Sequence, residues 1–567
     1  MDDRAGVSRR EVLIRAGWAA AGLAAGIGGT AAVGQILGSS GRHVTPPRGE
    51  GPGFDHLVVL MFENRSFDNL LGHLYGGTYG APLPAGQTFA GLTDRTHSNR
   101  APDGTLIHAH PYAGSTDVIM SSPVPNAGEE YPHINTQLFG IVDPPGNATR
   151  TSERMLPPYN APAAGVKPTM DGFVLDYVNT HRAATGTELT SAQAAMIMGG
   201  FTPAMLPVFS HLAREFAVYD HWHAAVPSQT FANRSFFHAS TSSGFVVNKG
   251  AKGFAKWLDP ELNDAPTVFE RLDAAGLSWA VYFDESQLIS FTGLIHAPRL
   301  QPFWKTNFRT MTQFHQDVAT GRLPTYAFIE PRMIYNHNDM HPPFGADAVQ
   351  TVDGTTVVGN SISDARAAEV LLHEVYTSIK ESAASTGSNA FNTMLLVTFD
   401  ESGGTYDHVP PPTAVPPDAA GPGEFDFTFD RLGVRVPAIA ISAYTAAGSV
   451  INDPMHHGAV IRTLCERYDL PHLTERDRGA RTLRAAVNRS TARDPATWPT
   501  TSAHYVPDNP EASAPGAGTS GNKLTAPAVG LLAMLLAKYG RPGDPIPTTY
   551  GQAKELLELR GRELFGS

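Results

Sequence analysis

The stretch FDHLVVLMFENRSFDN, residues 54–69, decides the fold: an unbroken apolar strand ends abruptly in Glu63 and Asn64. Two oxygen donors presented at a strand end suit a hard metal ion. The same pattern returns in NTMLLVTFDESGGTYDHVPPP, residues 392–412, where the run 394–399 empties into Asp400 and Glu401. A third instance, TYAFIEP at 325–331, leads into Asn336, His337, Asn338, Asp339, Met340 and His341. In an open parallel sheet, ligands gather outside the carboxyl ends of the strands. Three strand exits therefore bring carboxylate, amide and imidazole to one rim. SWAVYFDES at 278–286 adds a further strand, and 364–382 has helical periodicity with Val370, Leu371, Val375 and Ile379 apolar. Strands alternating with helices predict an α/β protein built on parallel βαβ units.

Between these strands lies VPSQTFANRSFFHASTSSG, residues 226–244, in which Thr230 stands where a helix should begin. A hydroxyl there sits among unpaired backbone N–H groups at the positive end of the helix dipole, which suits a phosphate or a developing alkoxide. An isolated threonine at such a point is more often a simple helix cap, and free threonine is a poor nucleophile without a metal or base beside it. Glu63 and Asn64 have a similar bland reading, as caps of the helix that follows the strand. Asp400 and Glu401 are followed by Gly403 and Gly404, which let backbone approach a ligand closely.

Four motifs in order, ENRSFDN (63–69), PSQTFANRSFFHAS (227–240), EP followed by NHNDMHPP (336–343) and DESGGTYDHVPPP (400–412), resemble the bacterial phosphoesterase family that holds secreted phospholipases C and related acid phosphatases. The resemblance runs from about 54 to about 477 and includes RLGVRVPAIAIS and HHGAVIRTLCERYDLPHLTERD. It implies an alkaline-phosphatase-like α/β fold: a central, mostly parallel sheet flanked by helices, with long loop insertions. It also implies one divalent metal ion held by Glu63, Asn64, Thr230, Asp400 and Glu401. Some family members carry serine where this chain has Thr230, and aspartate in place of the second acid. The catalytic set carried over is Thr230 with His133, His337, His341 and His408 around the phosphate. His456 and His457, which precede a helix, are read as structural. Carboxylate, amide and hydroxyl oxygens without thiolate favour Ca, Mn, Mg or Fe over a structural zinc. The expected mechanism is in-line attack by Thr230 on phosphorus, a phosphothreonine intermediate, and protonation of the leaving alcohol by His337 or His341. Phospholipase C-like diesterase and acid phosphatase activity both fit these motifs. The absence of C-terminal β-domains leans toward the phosphatases, and a non-catalytic exported metal-binding surface protein is the alternative from another class.

Composition is that of a soluble globular protein, with 54 acidic against 42 basic residues. That balance argues against a nucleic-acid groove, which relies on clustered Lys and Arg. Expected partners are a phosphate ester or phospholipid, transient membrane-surface contact where the substrate is lipid, and the export machinery for folded proteins. Arg9 and Arg10 precede a weakly apolar Ala/Gly-rich run, the shape of a twin-arginine signal, so residues 1–37 are read as an export signal and the mature protein as periplasmic, cell-envelope or secreted. Cys465 is the single cysteine, so no intrachain disulfide forms. The chain then divides into a linker (38–53), a catalytic domain (54–495), a Pro/Gly/Ser-rich linker or strap (496–523) and a C-terminal helical segment (524–567). Residues 76–165 read as a long insertion, and 192–216 as helical pieces broken at Gly199 and Pro207. Two closing helices, 527–539 and 551–565, are expected to dock on the catalytic domain, the first being nearly all apolar but too short to span a bilayer.

Overall fold

The computed structural model describes residues 53–503, apart from 93–96, 115, 286, 288, 334–336, 343–348, 353–354 and 359–362, together with 526–540 and 547–565. The twin-arginine segment, all of the linker but Gly53, and most of the strap lie outside the described residues.

Eight strands form the main sheet: β1 (His56–Phe62), β2 (Ala217–Tyr219), β3 (Trp279–Phe283), β4 (Phe308–Thr310), β5 (Tyr326–Glu330), β6 (Thr393–Phe399), β7 (Ala438–Ile441) and β8 (Ser449–Ile451), in the order β8-β2-β7-β6-β1-β5-β3-β4. The central strands β1, β5 and β6 and the neighbours β3 and β4 pair in parallel. Only β7 runs antiparallel to both its neighbours. Every residue of β1, β5 and β6 is buried, which explains why their sequences read as continuous apolar runs rather than as alternation. The expected α/β architecture with a mostly parallel sheet is what the topology shows.

The helices that matter below are α1 (Phe67–Leu71), α2 (Tyr131–Phe139), α3 (Phe173–Thr185), α4 (Thr230–Ala239), α5 (Ala365–Glu381), α6 (Gly458–Tyr468), α7 (Ala526–Tyr539) and α8 (Tyr550–Phe565). α5 bears the predicted apolar stripe, with Leu371, Val375 and Ile379 buried. Pro207 proves to start a helix, Pro207–Glu215, rather than only to end one; its fixed φ and missing N–H suit that first position. The 76–165 insertion contains α2, a helix all of whose residues are buried. It shows no polar face, so periodicity could not reveal it. Its Gln137 is anchored through Nε2, which donates to Gly128 O at 2.7 Å and to Asp176 Oδ2 of α3 at 2.9 Å. With α3 and Tyr406 it builds a second, smaller core beside the sheet.

The closing helices fall where expected. Leu532, Met534 and Leu535 of α7 are buried, and Phe565 of α8 stacks on Trp304 at 4.6 Å. Among the described residues, no helix is long and apolar enough to cross a membrane.

Candidate active site

Strands β1 and β6 lie side by side with Phe62 opposite Phe399, so Glu63 and Asp400 leave the sheet at the same level. The backbone then ties the two exits together. Asp400 N donates to Phe62 O at 3.1 Å, Asn64 N to Asp400 Oδ1 at 3.2 Å, and Arg65 N to Glu401 O at 3.1 Å. Asn64 holds a left-handed φ of 60°, a conformation uncommon outside glycine and often found at functional sites. The double glycine after the acids has a steric cause: a Cβ on Gly403 (φ 58°) would lie 2.3 Å from Asn64 O, and one on Gly404 (φ 66°) 2.4 Å from Gly128 O.

Thr230 opens α4, and Gln229 occupies the capping position without a side-chain cap bond. Capping therefore does not explain Thr230. Its Oγ is fully buried and has no hydrogen bond. One of the helix-start N–H groups is already engaged, since Phe231 N donates to Asn248 Oδ1 at 2.9 Å. One turn further on, Arg234 sets Nη2 3.1 Å from Glu63 Oε1 and Nε 3.4 Å from Asp400 Oδ2. These are ion pairs without hydrogen-bond geometry.

Each of the five residues assigned to the metal leaves one buried oxygen without a hydrogen bond: Glu63 Oε1, Asn64 Oδ1, Thr230 Oγ, Asp400 Oδ2 and Glu401 Oε1. Buried polar atoms in native proteins are nearly always satisfied, so the clustering of exceptions on these residues marks a place for a ligand. The donors are all oxygen, which fits a hard or borderline cation. Their electrostatics agree. Burial, reinforced by Asp400 and opposed by Arg234, holds the Glu63 carboxyl well above the usual range. Burial, then Glu129 and Asp400, does the same to Glu401. Asp400 is raised by burial to about 6, against the pull of Arg234. Buried acids of this kind are reconciled either by protonation or by a cation.

Glu129, from the insertion, was not legible in the sequence. Its Oε2 accepts from Asn64 Nδ2 at 2.6 Å and lies 3.8 Å from His341 Nε2, while Oε1 accepts from Gln229 Nε2 at 3.3 Å. By engaging the Asn64 amide nitrogen it fixes the flip that leaves Asn64 Oδ1 for a ligand. Burial, and then the Glu130 charge, raise Glu129 to about 8.

The four assigned histidines separate into two groups. His337 has Nδ1 2.8 Å from Asp339 Oδ2, with a buried Nε2 that has no hydrogen bond. Burial favours protonated Asp339, but the adjacent imidazoles of His337 and His341 outweigh it and hold that carboxyl below its usual range. Asp339 belongs to the cradle, since its carbonyl accepts from Glu63 N at 2.8 Å. His341 approaches Glu129 with Nε2, and burial lowers its imidazole to about 3. The other two belong elsewhere in the hydrogen-bond network. His133 is held by Asp176 Oδ1 at 2.8 Å and Thr180 Oγ at 3.1 Å. His408 is held by Asp68 Oδ2 at 2.6 Å, beside Arg435. Neither hydrogen-bonds to a residue of the cradle. His457, read as structural, supports the site from behind: Nε2 lies 2.6 Å from Asp400 O, and Trp222 Nε1 donates to Nδ1 at 3.2 Å.

Among the described residues, two groups of His, Cys, Asp and Glu side chains have potential ligand atoms within 4.8 Å of one another, Asp68–Asp407–His408 and Cys465–His472–Asp477. Tightness alone does not make either a cation site. Arg435 already neutralises the first, with Nη2 3.0 Å from Asp68 Oδ1 and Nε 2.8 Å from Asp407 Oδ1. In the second, Asp477 closes a capping box with Thr474, and burial raises the Cys465 thiol to about 12. The cradle around Glu63 is looser but unsatisfied, and includes amide and hydroxyl donors.

A buried hydroxyl at a helix start, set among acids that a cation would reconcile, is equipment for phosphate-ester chemistry, and the class is a phosphoric ester hydrolase. The chain belongs to the Phosphoesterase family, whose model matches residues 54–471. It is 30% identical over 458 residues to non-specific phospholipase C1 of Arabidopsis thaliana, covering 77% of this chain and 71% of that one. It is 24% identical over 506 residues to phospholipase C A of Mycobacterium tuberculosis, covering 82% of each. Among solved structures it is similar to the phosphonate monoester hydrolase of Agrobacterium radiobacter, at 11% identity and a TM-score of 0.25 over 50% of this chain and 72% of that one.

Proposed function

We propose that the protein is a phospholipase C-type diesterase that works through a phosphothreonine on Thr230, with one divalent cation held by Glu63, Asn64, Thr230, Asp400 and Glu401. The observation that carries the reading is the set of five buried oxygens on those residues that have no hydrogen bond, two of them facing Arg234. When bound, such a cation supplies charge neutralisation and Lewis-acid polarisation of the phosphoryl oxygens. The rest is the work of the chain. Thr230 attacks phosphorus as its Oγ alkoxide, the bond from phosphorus to the leaving alcohol breaks, and the alcohol takes a proton from His337 Nε2. Asp339 holds Nδ1 of that imidazole and orients the ring. In the second half the same Nε2 accepts a proton from the water that cleaves the phosphothreonine, which restores Thr230. Arg234, one turn along α4 and paired with Glu63 and Asp400, keeps the acids in place.

The names of the relatives favour a diester over a monoester substrate. The direct test compares p-nitrophenyl phosphate, p-nitrophenyl phosphorylcholine and a phospholipid on purified protein, with denaturing mass spectrometry to trap the adduct on Thr230, a phosphoryl group from the monoester or the phosphorylated headgroup from a diester. A diester preference with label on Thr230 is expected. Turnover without any covalent label under single-turnover conditions sinks the intermediate, and preference for the monoester assigns the chain to the phosphatase side.

A further inference from the structure

Gln229, the residue before the nucleophile, also lines a cleft of about 580 Å³, within the range of small-molecule sites. Its apolar walls include Met155, Tyr159, Val247, Phe254 and Phe425. Tyr159 and Phe425 meet edge to face at 4.8 Å, and both hold left-handed backbone conformations, with φ of 59° and 58°. Two bulky residues kept in that sparsely populated region are backbone strain of the kind that collects at ligand clamps. The charged lining side chains are largely spent on ion pairs: Lys249 pairs with Glu153 at 2.8 Å, and Glu424 with the buried Lys256 at 2.7 Å. What the cleft offers a ligand is therefore chiefly aromatic and aliphatic surface.

Phe254 connects this cleft to two other parts of the molecule. Its ring packs on Phe231, the residue after Thr230, at 6.2 Å. It also abuts α7, where a Cβ on Gly530 would lie 2.5 Å from Phe254 Cε1. α7, outside the family match, thus backs one wall of the cleft.

We infer that this cleft seats the apolar part of the substrate, the acyl-bearing side of a lipid phosphoester, and that α7 sets its width through Phe254. For the position of the phosphate end, the inference rests on the function proposed above. Binding is read without turnover in the Thr230→Ala protein, by calorimetry with dihexanoylphosphatidylcholine. Adding Phe425→Ala or Tyr159→Ala is expected to weaken Kd about tenfold, whereas binding of glycerophosphocholine, which has the same headgroup and no chains, should move far less. In the active protein, Phe425→Ala and Gly530→Leu should raise KM for the short-chain lipid about tenfold more than for p-nitrophenyl phosphate, with a smaller change in kcat. Unchanged lipid Kd in both cleft variants, or equal shifts for lipid and glycerophosphocholine, overturns the inference. Should the parent protein turn over neither substrate while the lipid Kd still depends on Phe425, the reaction reading fails and the cleft stands.

Discussion

Two buried acidic clusters are built from the same two motifs, and they are finished in opposite ways. ENRSFD and DESGGTYDH each give their first acids, Glu63 and Asp400–Glu401, to the cradle, and their last residues, Asp68 and Asp407–His408, to a second cluster a few residues away. In the second cluster every acid is answered: Arg435 spans Asp68 and Asp407, and Asp68 Oδ2 accepts from His408 N at 2.8 Å. In the cradle, oxygens of Glu63, Asp400 and Glu401 lack hydrogen bonds although Arg234 is adjacent. Burial is the same in both, so burial does not distinguish a clamp from a site. Satisfaction does. The clamp holds the loop after β1 against the loop after β6; the cradle leaves valence for a ligand.

The largest expected effect tests the cradle. Thr230→Ala removes a hydroxyl with no hydrogen bond to lose, so the melting temperature should shift by no more than a degree or two, while kcat falls at least about a thousandfold, as when a covalent catalyst is deleted. Residual activity of several per cent would take Thr230 out of the nucleophile's place.

Next in size is the clamp. Arg435→Met leaves Asp68 with His408 alone and Asp407 with backbone amides alone, and breaking one partner of a buried pair typically costs about 3–5 kcal/mol. Urea denaturation should show that loss, and added Mn²⁺ or Ca²⁺ should not restore it. Arg234→Met is the matched control, because there the divalent ion is expected to recover most of the lost stability. Recovery of both variants, or of neither, would erase the distinction between the clusters.

Glu63→Gln and Asp400→Asn are expected to have smaller and opposite effects on binding and folding. Each should lower bound metal, measured by elemental analysis after dialysis, and each should stabilise the metal-stripped protein at neutral pH, Asp400→Asn by about 1–3 kcal/mol, since an acid whose pKa is raised by burial is a folding penalty above its unfolded value. Full metal occupancy in both variants would exclude these residues as ligands.

Legibility in the sequence followed the same divide. Glu63, Asn64, Asp400 and Glu401 stand at the ends of uninterrupted apolar strands, and a strand end in a parallel sheet is a position sequence alone can recognise. Thr230 could be placed at a helix start, although only the structure shows that it does no capping. Glu129 follows no strand and precedes α2, a helix buried on every side, so neither periodicity nor position announces it. His133 and His408 illustrate the converse: a histidine assigned by resemblance, within a motif for His408 and outside all four for His133, cannot be told from a structural one until its partner, here Asp176 or Asp68, is known. Such partners lie far off in sequence, and Asp68 is 340 positions from His408.

The smallest effect concerns His133, and it asks whether a satisfied histidine behaves as structure. Burial works against its charge, but Asp176 at 2.8 Å, with Glu130 and Glu129 behind it, raises the imidazole to about 9. A histidine whose folded pKa is raised binds its proton more tightly than the unfolded chain does, so its contribution is complete below about 6.5 and is lost as pH climbs through about 9. His133→Gln should therefore lower the unfolding free energy by roughly 1–2 kcal/mol at pH 6, and the difference from the parent protein should shrink toward zero by about pH 10, read from urea curves across that range. The same substitution should cost much less in kcat/KM than His337→Gln, whose target carries the unpartnered Nε2. A pH-independent stability difference would mean that His133 packs as a neutral ring. A catalytic loss matching that of His337→Gln would return it to the site, with the line between clamp and cradle drawn in the wrong place.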